Sequence, residues 1–320
     1  MSQQLTNIAT DNPALFSRLE STDPGVRRIA LMDLADGEDE TSLPWLQRAL
    51  QKDEAAVVRR QAAQLLGSWD ETTVIRALCY ALEDPDEEVR AEAAKSLSKL
   101  KNVDSGHVLL PWTRHADPFV RAAALRALRE LRLPEASSPA LENLRDADPL
   151  VRREAVGVLG WLKQERTLTE LAQLAISDSD TNVRRAATGA LGFTRNEDIL
   201  PALLSALADT AWQVREEAAN TLGKLRFHRA ANDLIVALSD DYWQVRLQAA
   251  RSLGKLRSRE AVPTLASMLS HAISNLRKET ALALGEIGDT SAIPALQVAA
   301  NDSDSDVRKS VRIALAQLQL

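Results

Sequence analysis

Two glycine–aromatic pairs carry the clearest binding chemistry in this chain: Gly157 with Trp161, and Gly189 with Phe193. In each pair the aromatic lies four residues on, about one helical turn away. Small residues that open a hollow beside aromatic walls are what a ligand pocket needs. Trp212 and Trp243 extend the aromatic set as its expected rim. A second set is electrostatic: Lys95, Lys99, Arg126, Arg153 and Arg185 could recruit a partner with an acidic surface. Catalytic chemistry is thin. The histidines, His107, His115, His228 and His271, show no i, i+4 pair and none precedes a glutamate. Cys79 is the sole cysteine, which leaves no structural zinc set, and it reads as a small packed hydrophobe. There is no glycine-rich phosphate loop and no G-x-S-x-G elbow. No catalytic residue, metal ligand or cofactor is therefore assigned.

These residues are positioned by a repeat. Arg27, Arg59, Arg90, Arg121, Arg152, Arg184, Arg215, Arg246, Arg277 and Arg308 follow one another at intervals of 31 or 32 residues, each after a valine except at Leu276. Ten copies of one unit fill the chain, so the expected fold is an all-α solenoid, a superhelix of about ten helical hairpins. The expected domain is a single array over residues 1–320 with its end repeats as caps. Pro13, Pro201, Pro263 and Pro294 each stand 14 residues before a repeat arginine and mark the start of the first helix. The second helix carries a buried stripe such as Val214, Ala218, Leu222 and Leu225. Between them lies a tight turn. An aspartate four residues before the arginine (Asp23, Asp86, Asp117, Asp148, Asp180 and Asp304) is placed to cap the second helix.

The pattern D-x-x-V-R-x-x-A-A-x-x-L-G-x-L, carried by Asp180–Thr194 and Val245–Leu256, resembles the short HEAT-like repeats of phycobilisome lyase subunits. That resemblance covers essentially the whole chain. It implies a ladder of Asp and Arg between neighbouring repeats, assigned here to Asp148/Arg152, Asp180/Arg184 and Asp304/Arg308. In two repeats Ala211 and Tyr242 hold the aspartate's place, with Asp209 and Asp240 two residues earlier. The metal-binding hydroxylases among HEAT-like proteins use His-Glu pairs, which are absent here.

In such solenoids the second helices normally line the concave, partner-binding face. On the side opposite the buried stripe, twelve basic and eight acidic residues give +4 (12 − 8), against −6 for the whole chain. The expected function is a non-catalytic scaffold or chaperone-like accessory protein holding a partner protein there. The alternatives are a lyase-like subunit handling a tetrapyrrole, which the family resemblance implies, and nucleic-acid binding, which the acidic total opposes. Trp45, Trp69 and Trp112 are expected in the core. The polar start, Met1 to Thr10, lacks a secretory layout, and no apolar run is long enough for a membrane span. A cytoplasmic location is expected.

Overall fold

A computed structural model describes residues 12–37 and 39–318; the start read above as lacking a leader lies outside them. Every regular element among the described residues is helical, so the all-α solenoid expected from the period is what forms. None of these helices is long and apolar enough to cross a membrane. The chain divides into two compact units, Met1–Leu162 and Lys163–Leu320, holding the first five and last five repeat arginines respectively.

Each repeat is a hairpin, and in most the second helix is the longer, as in Trp212–Leu225 after Leu200–Leu207, or Ser274–Ile287 after Val262–Met268. Most first helices are entered through a short 3-10 turn, for example Arg259–Ala261 before Val262–Met268. Val214, Ala218 and Leu222 are fully buried, as the stripe requires, whereas Leu225 at its end is half-buried. All six expected caps form: Asp86, for instance, accepts from the backbone N–H groups of Glu88 and Val89. The glycine of the L-G-x-L pattern marks close approach of neighbouring second helices. A Cβ at Gly223 would stand 2.8 Å from the Ser252 backbone, and one at Gly285 would stand 2.8 Å from that of Ala314.

The ladder forms, but through a different aspartate from the one assigned. In the first unit Arg27, Arg59 and Arg121 grip Asp53, Asp84 and Asp146; in the second, Arg184, Arg215 and Arg277 grip Asp209, Asp240 and Asp302. Each pair is bidentate, with Nε and Nη2 donating over 2.6 to 3.0 Å. The rung aspartate stands six residues before the next repeat's arginine. Asp148, Asp180 and Asp304, four residues before it, are caps instead. The reason is geometric: a side chain bonded to the first N–H groups of its own helix is turned away from the preceding repeat. Each rung carboxylate also accepts the N–H two residues on, as Asp209 does from Ala211 at 2.8 Å. The arginine's Nη1 reaches back to its own turn, as Arg215 does to the Asp209 carbonyl at 2.8 Å.

Burial alone would raise the rung carboxyls. The arginine hydrogen bond and the turn N–H outweigh it and hold Asp84, Asp146, Asp209 and Asp240 below the ordinary aspartate value. Two rungs have histidine where aspartate is needed. His115 accepts the Asp117 N–H at Nδ1 and turns Nε2 to Glu83 at 3.0 Å, while Arg90 lies against the Phe119 ring. His271 accepts the Ile273 N–H at Nδ1 in the same way. Its counterpart Arg246 makes none of the bonds of the other ladder arginines, and its Nε is buried without a partner. Burial, then the Arg246 and Arg277 charges, push the His271 pKa down.

Arg215→Ala is expected to cost about 3 kcal/mol, because it strands a mostly buried carboxylate. His271→Asp should supply the missing rung and raise the unfolding free energy by about 1 kcal/mol. The pH dependence has two parts. The Asp84, Asp146, Asp209, Asp240 and Asp302 carboxyls are depressed, so their contribution is present above about pH 4 and lost as pH falls through their lowered native values. His271 is depressed too, so the unfolded chain protonates first and stability declines as pH drops below about 6.5. Denaturant melts of parent and His271→Asp should show this second decline shrinking in the variant. An unchanged decline would exclude His271 as its source.

Candidate functional site

The face read as a solvated basic surface is, in large part, a second ladder. In the first unit, repeats 3 to 5 contribute the helices Glu87–Leu97, Pro118–Arg129 and Pro149–Leu162. Glu92 and Glu154, expected on the exposed side, are 8 % and 3 % exposed. Neighbouring second helices approach too closely to leave these carboxylates in water, so they take cationic partners. Lys95 meets Glu92 at 3.2 Å within its own helix. Arg126 donates to Glu154 at 3.0 Å from one repeat away, and Arg153 donates to it at 2.9 Å. Lys99 is exposed. Arg129, absent from the sequence-based set, lies 3.7 Å from Glu154.

The second unit repeats the scheme with different residues. Arg251 donates to Glu279 at 2.8 Å, and the Gln248 side chain donates to Asn220 at 3.0 Å. The Arg251 hydrogen bond, against desolvation, holds the Glu279 carboxyl below its usual range. Arg185 is exposed, with a looser contact of 3.9 Å to Glu217.

The glycines do not open a hollow. A Cβ at Gly157 would stand 3.0 Å from Arg129 Cδ, and one at Gly189 would stand 3.1 Å from a Glu217 carboxylate oxygen. Each space is already filled by a neighbouring repeat's side chain. Trp161 is 40 % exposed and lies on the same helix as Gly157. The Arg132 guanidinium covers one of its faces, 5.0 Å from the ring centre. Arg132 itself is left-handed, at φ 53°, just past the end of the preceding second helix.

In the second unit, Phe193 is half-buried and departs from the expected geometry. Its α-helix ends at Ala190, and a 3-10 turn over Leu191–Phe193 with a non-helical Gly192 carries the ring off the Gly189 face. Trp212 and Trp243 open their helices and are half-buried. Trp212 stacks on Tyr242 at 5.5 Å, and Tyr242 in turn lies against Arg215 of the ladder. Of the three tryptophans expected in the core, Trp45 is buried, whereas Trp69 and Trp112 are half-buried. Trp112 stacks on His115 at 5.8 Å and meets Tyr80 edge-on. Cys79 is fully buried, and burial pushes its thiol up to about 12, which makes it inert as a nucleophile at neutral pH.

A family profile described as HEAT repeats matches residues 12–68, 49–112, 106–192, 168–241 and 231–316. The chain belongs to the HEAT-repeat family. A search of curated proteins finds no match. Among solved structures, the chain is similar to YibA of Escherichia coli, at 19 % identity and TM-score 0.62, over 84 % of this chain and 99 % of that one. It is similar to an engineered protein at 21 % identity and TM-score 0.53, over 96 % and 98 % of the two chains. It is also similar to Kap121p bound to Nup53p, at 15 % identity and TM-score 0.67, over 96 % of this chain but 41 % of Kap121p. At these identities the likeness is one of fold.

Two glycine substitutions should separate the two kinds of helix contact. Gly189→Ala displaces only the end of Glu217 and should gain about 0.5–1 kcal/mol from helix propensity. Gly223→Ala meets the Ser252 backbone and should lose about 1–3 kcal/mol. Thermal melts moving in the same direction for both would contradict the close-approach assignment.

Proposed function

We propose that this HEAT-repeat protein is a non-catalytic scaffold, or chaperone-like accessory protein, that holds an acidic segment of a partner protein. The contact surface is the second-helix face of repeats 3 to 5. One observation carries the reading: Arg126, Arg129 and Arg153 share a single buried carboxylate, Glu154, beside the exposed Trp161. The guanidiniums are anchored from below and remain part-exposed above, with more positive charge than their carboxylate cancels. Electrostatic surfaces of this kind steer association and set register, and an exposed tryptophan supplies the apolar anchor. Kap121p with Nup53p is a precedent for protein recognition on this architecture. In the second unit, Arg185 and the Trp212–Tyr242 stack beside Trp243 are candidate secondary contacts.

A lyase-like role with a tetrapyrrole ranks below this reading, because the spaces beside Gly157 and Gly189 are filled by Arg129 and Glu217. Nucleic-acid binding ranks lower again, given the net charge of −6 and the glutamates that neutralise the basic face. A cytoplasmic location accords with the buried free thiol of Cys79.

The test leaves Lys95, Arg126 and Arg153 in place, since they neutralise Glu92 and Glu154. Lys99→Gln and Arg129→Gln are combined, and the variant is used beside the parent to capture partners from the source cells. Proteins held by the parent at low salt should be lost both at high salt and with the variant. Trp161→Ala should weaken the same capture by about 2 kcal/mol or more. Identical, salt-insensitive capture by all three proteins would reject this face as the contact surface.

A further inference from the structure

The second helices of repeats 4 and 5 concentrate their charge at one point, and the inference drawn from it rests on the scaffold reading above. Glu154 is 3 % exposed. Three guanidiniums converge on it: Arg126 Nη2 at 3.0 Å, Arg153 Nη2 at 2.9 Å and Arg129 Nη1 at 3.7 Å. Guanidinium is always charged, so three cations and one anion leave two positive charges (3 − 1). The arginine side chains remain 37 % to 41 % exposed. The nearest further carboxylate, Glu130, touches Arg129 at 3.8 Å and is shared with Lys101 at 3.5 Å.

Arg129 is the least satisfied of the three. Its contacts to carboxylates are the two long ones, and its Nε is buried with no hydrogen-bond partner. It lies across the Pro149–Leu162 helix over Gly157, where a Cβ would stand 3.0 Å from its Cδ and 3.6 Å from its Cγ. Glycine at this position is therefore what lets Arg129 settle beside Glu154. A Cβ there would press on Arg129 and make it shift.

We propose that Arg126, Arg129 and Arg153 form a receptor for a phosphomonoester on a segment of the partner protein. A phosphorylated serine or threonine brings close to two negative charges and three acceptor oxygens at neutral pH, which matches the surplus here. A carboxylate brings one charge and two oxygens and leaves the cluster under-neutralised. The planar forks of arginine suit phosphate oxygens, and Glu154 keeps the three forks gathered when no ligand is present. Trp161, one turn beyond Gly157 and backed by Arg132, offers the adjoining segment an apolar surface.

The experiment uses the full chain and three fluorescein-labelled peptides, Gly-Asp-Glu-X-Glu-Asp-Gly, in which X is phosphoserine, glutamate or serine. Fluorescence anisotropy should show the phosphoserine peptide bound about tenfold more tightly than the glutamate peptide. In Arg129→Gln and in Gly157→Ala that preference should fall below about twofold. Gly157→Ala should melt no lower than the parent, since alanine favours the helix, so its loss of preference cannot be ascribed to unfolding. Equal binding of the phosphoserine and glutamate peptides overturns the phosphate receptor and leaves the acidic-segment reading standing. Failure of every peptide to bind overturns both. A preference that survives in both variants overturns its assignment to this cluster.

Discussion

The bidentate Arg–Asp rung is the constraint on which the rest of the structure depends. One carboxylate accepts two N–H bonds from the previous repeat's arginine and one from its own turn, while that arginine also donates to the carbonyls of its own turn. Rung side chains such as Arg184 and Asp209 are only 12 % and 9 % exposed, so neither partner can be removed without stranding a desolvated charge. Such a pair tolerates little variation in distance or angle. It holds the turn, the start of the second helix and the spacing to the next hairpin together, which explains why the arginine recurs so strictly. The same residues are consumed by the fold and offer little to a partner.

Where the rung aspartate is replaced, the two units respond differently. His115 recovers a polar partner in Glu83 and an aromatic one in Trp112, and Arg90 keeps its carbonyl bond. His271 has no such partner among the described residues, and Arg246 Nε is buried without an acceptor. The second unit therefore lacks one rung, between the second helix Trp243–Leu256 and the turn at His271.

Close approach of the second helices has a further consequence. Where glycine meets serine or alanine across neighbouring repeats, polar side chains beside the contact are squeezed out of water and must pair. Glu279, beside the Gly254–Ala283 contact, and Glu154 are both buried, each with an arginine from the preceding repeat. Arg126, Arg153 and Arg251 are thereby paired, as Lys95 is by Glu92. Among the described residues of this face, arginine outnumbers carboxylate around Glu154, where Arg129 fills the space beside Gly157; at the matching Gly189 the filling side chain is Glu217. Charge surplus and backbone space coincide at one place, and the candidate site follows from that coincidence.

The repeat period, the helical hairpins, the proline starts and the six aspartate caps were legible in the sequence, because each depends on residues close together in one unit. The buried stripe was legible for the same reason. Which aspartate forms the rung was not: Asp146 and Asp148, or Asp209 and Ala211, differ by two positions, and only the reach from the preceding repeat distinguishes them. Glu154 looked solvated because its own helix leaves it on the outer side, and burial came from the neighbouring helix. Gly157 looked like an empty space because Arg129, which fills it, belongs to another repeat. A linear pattern carries what a helix does by itself. Contacts between repeats depend on separation and side-chain direction, and the tertiary structure alone decides those.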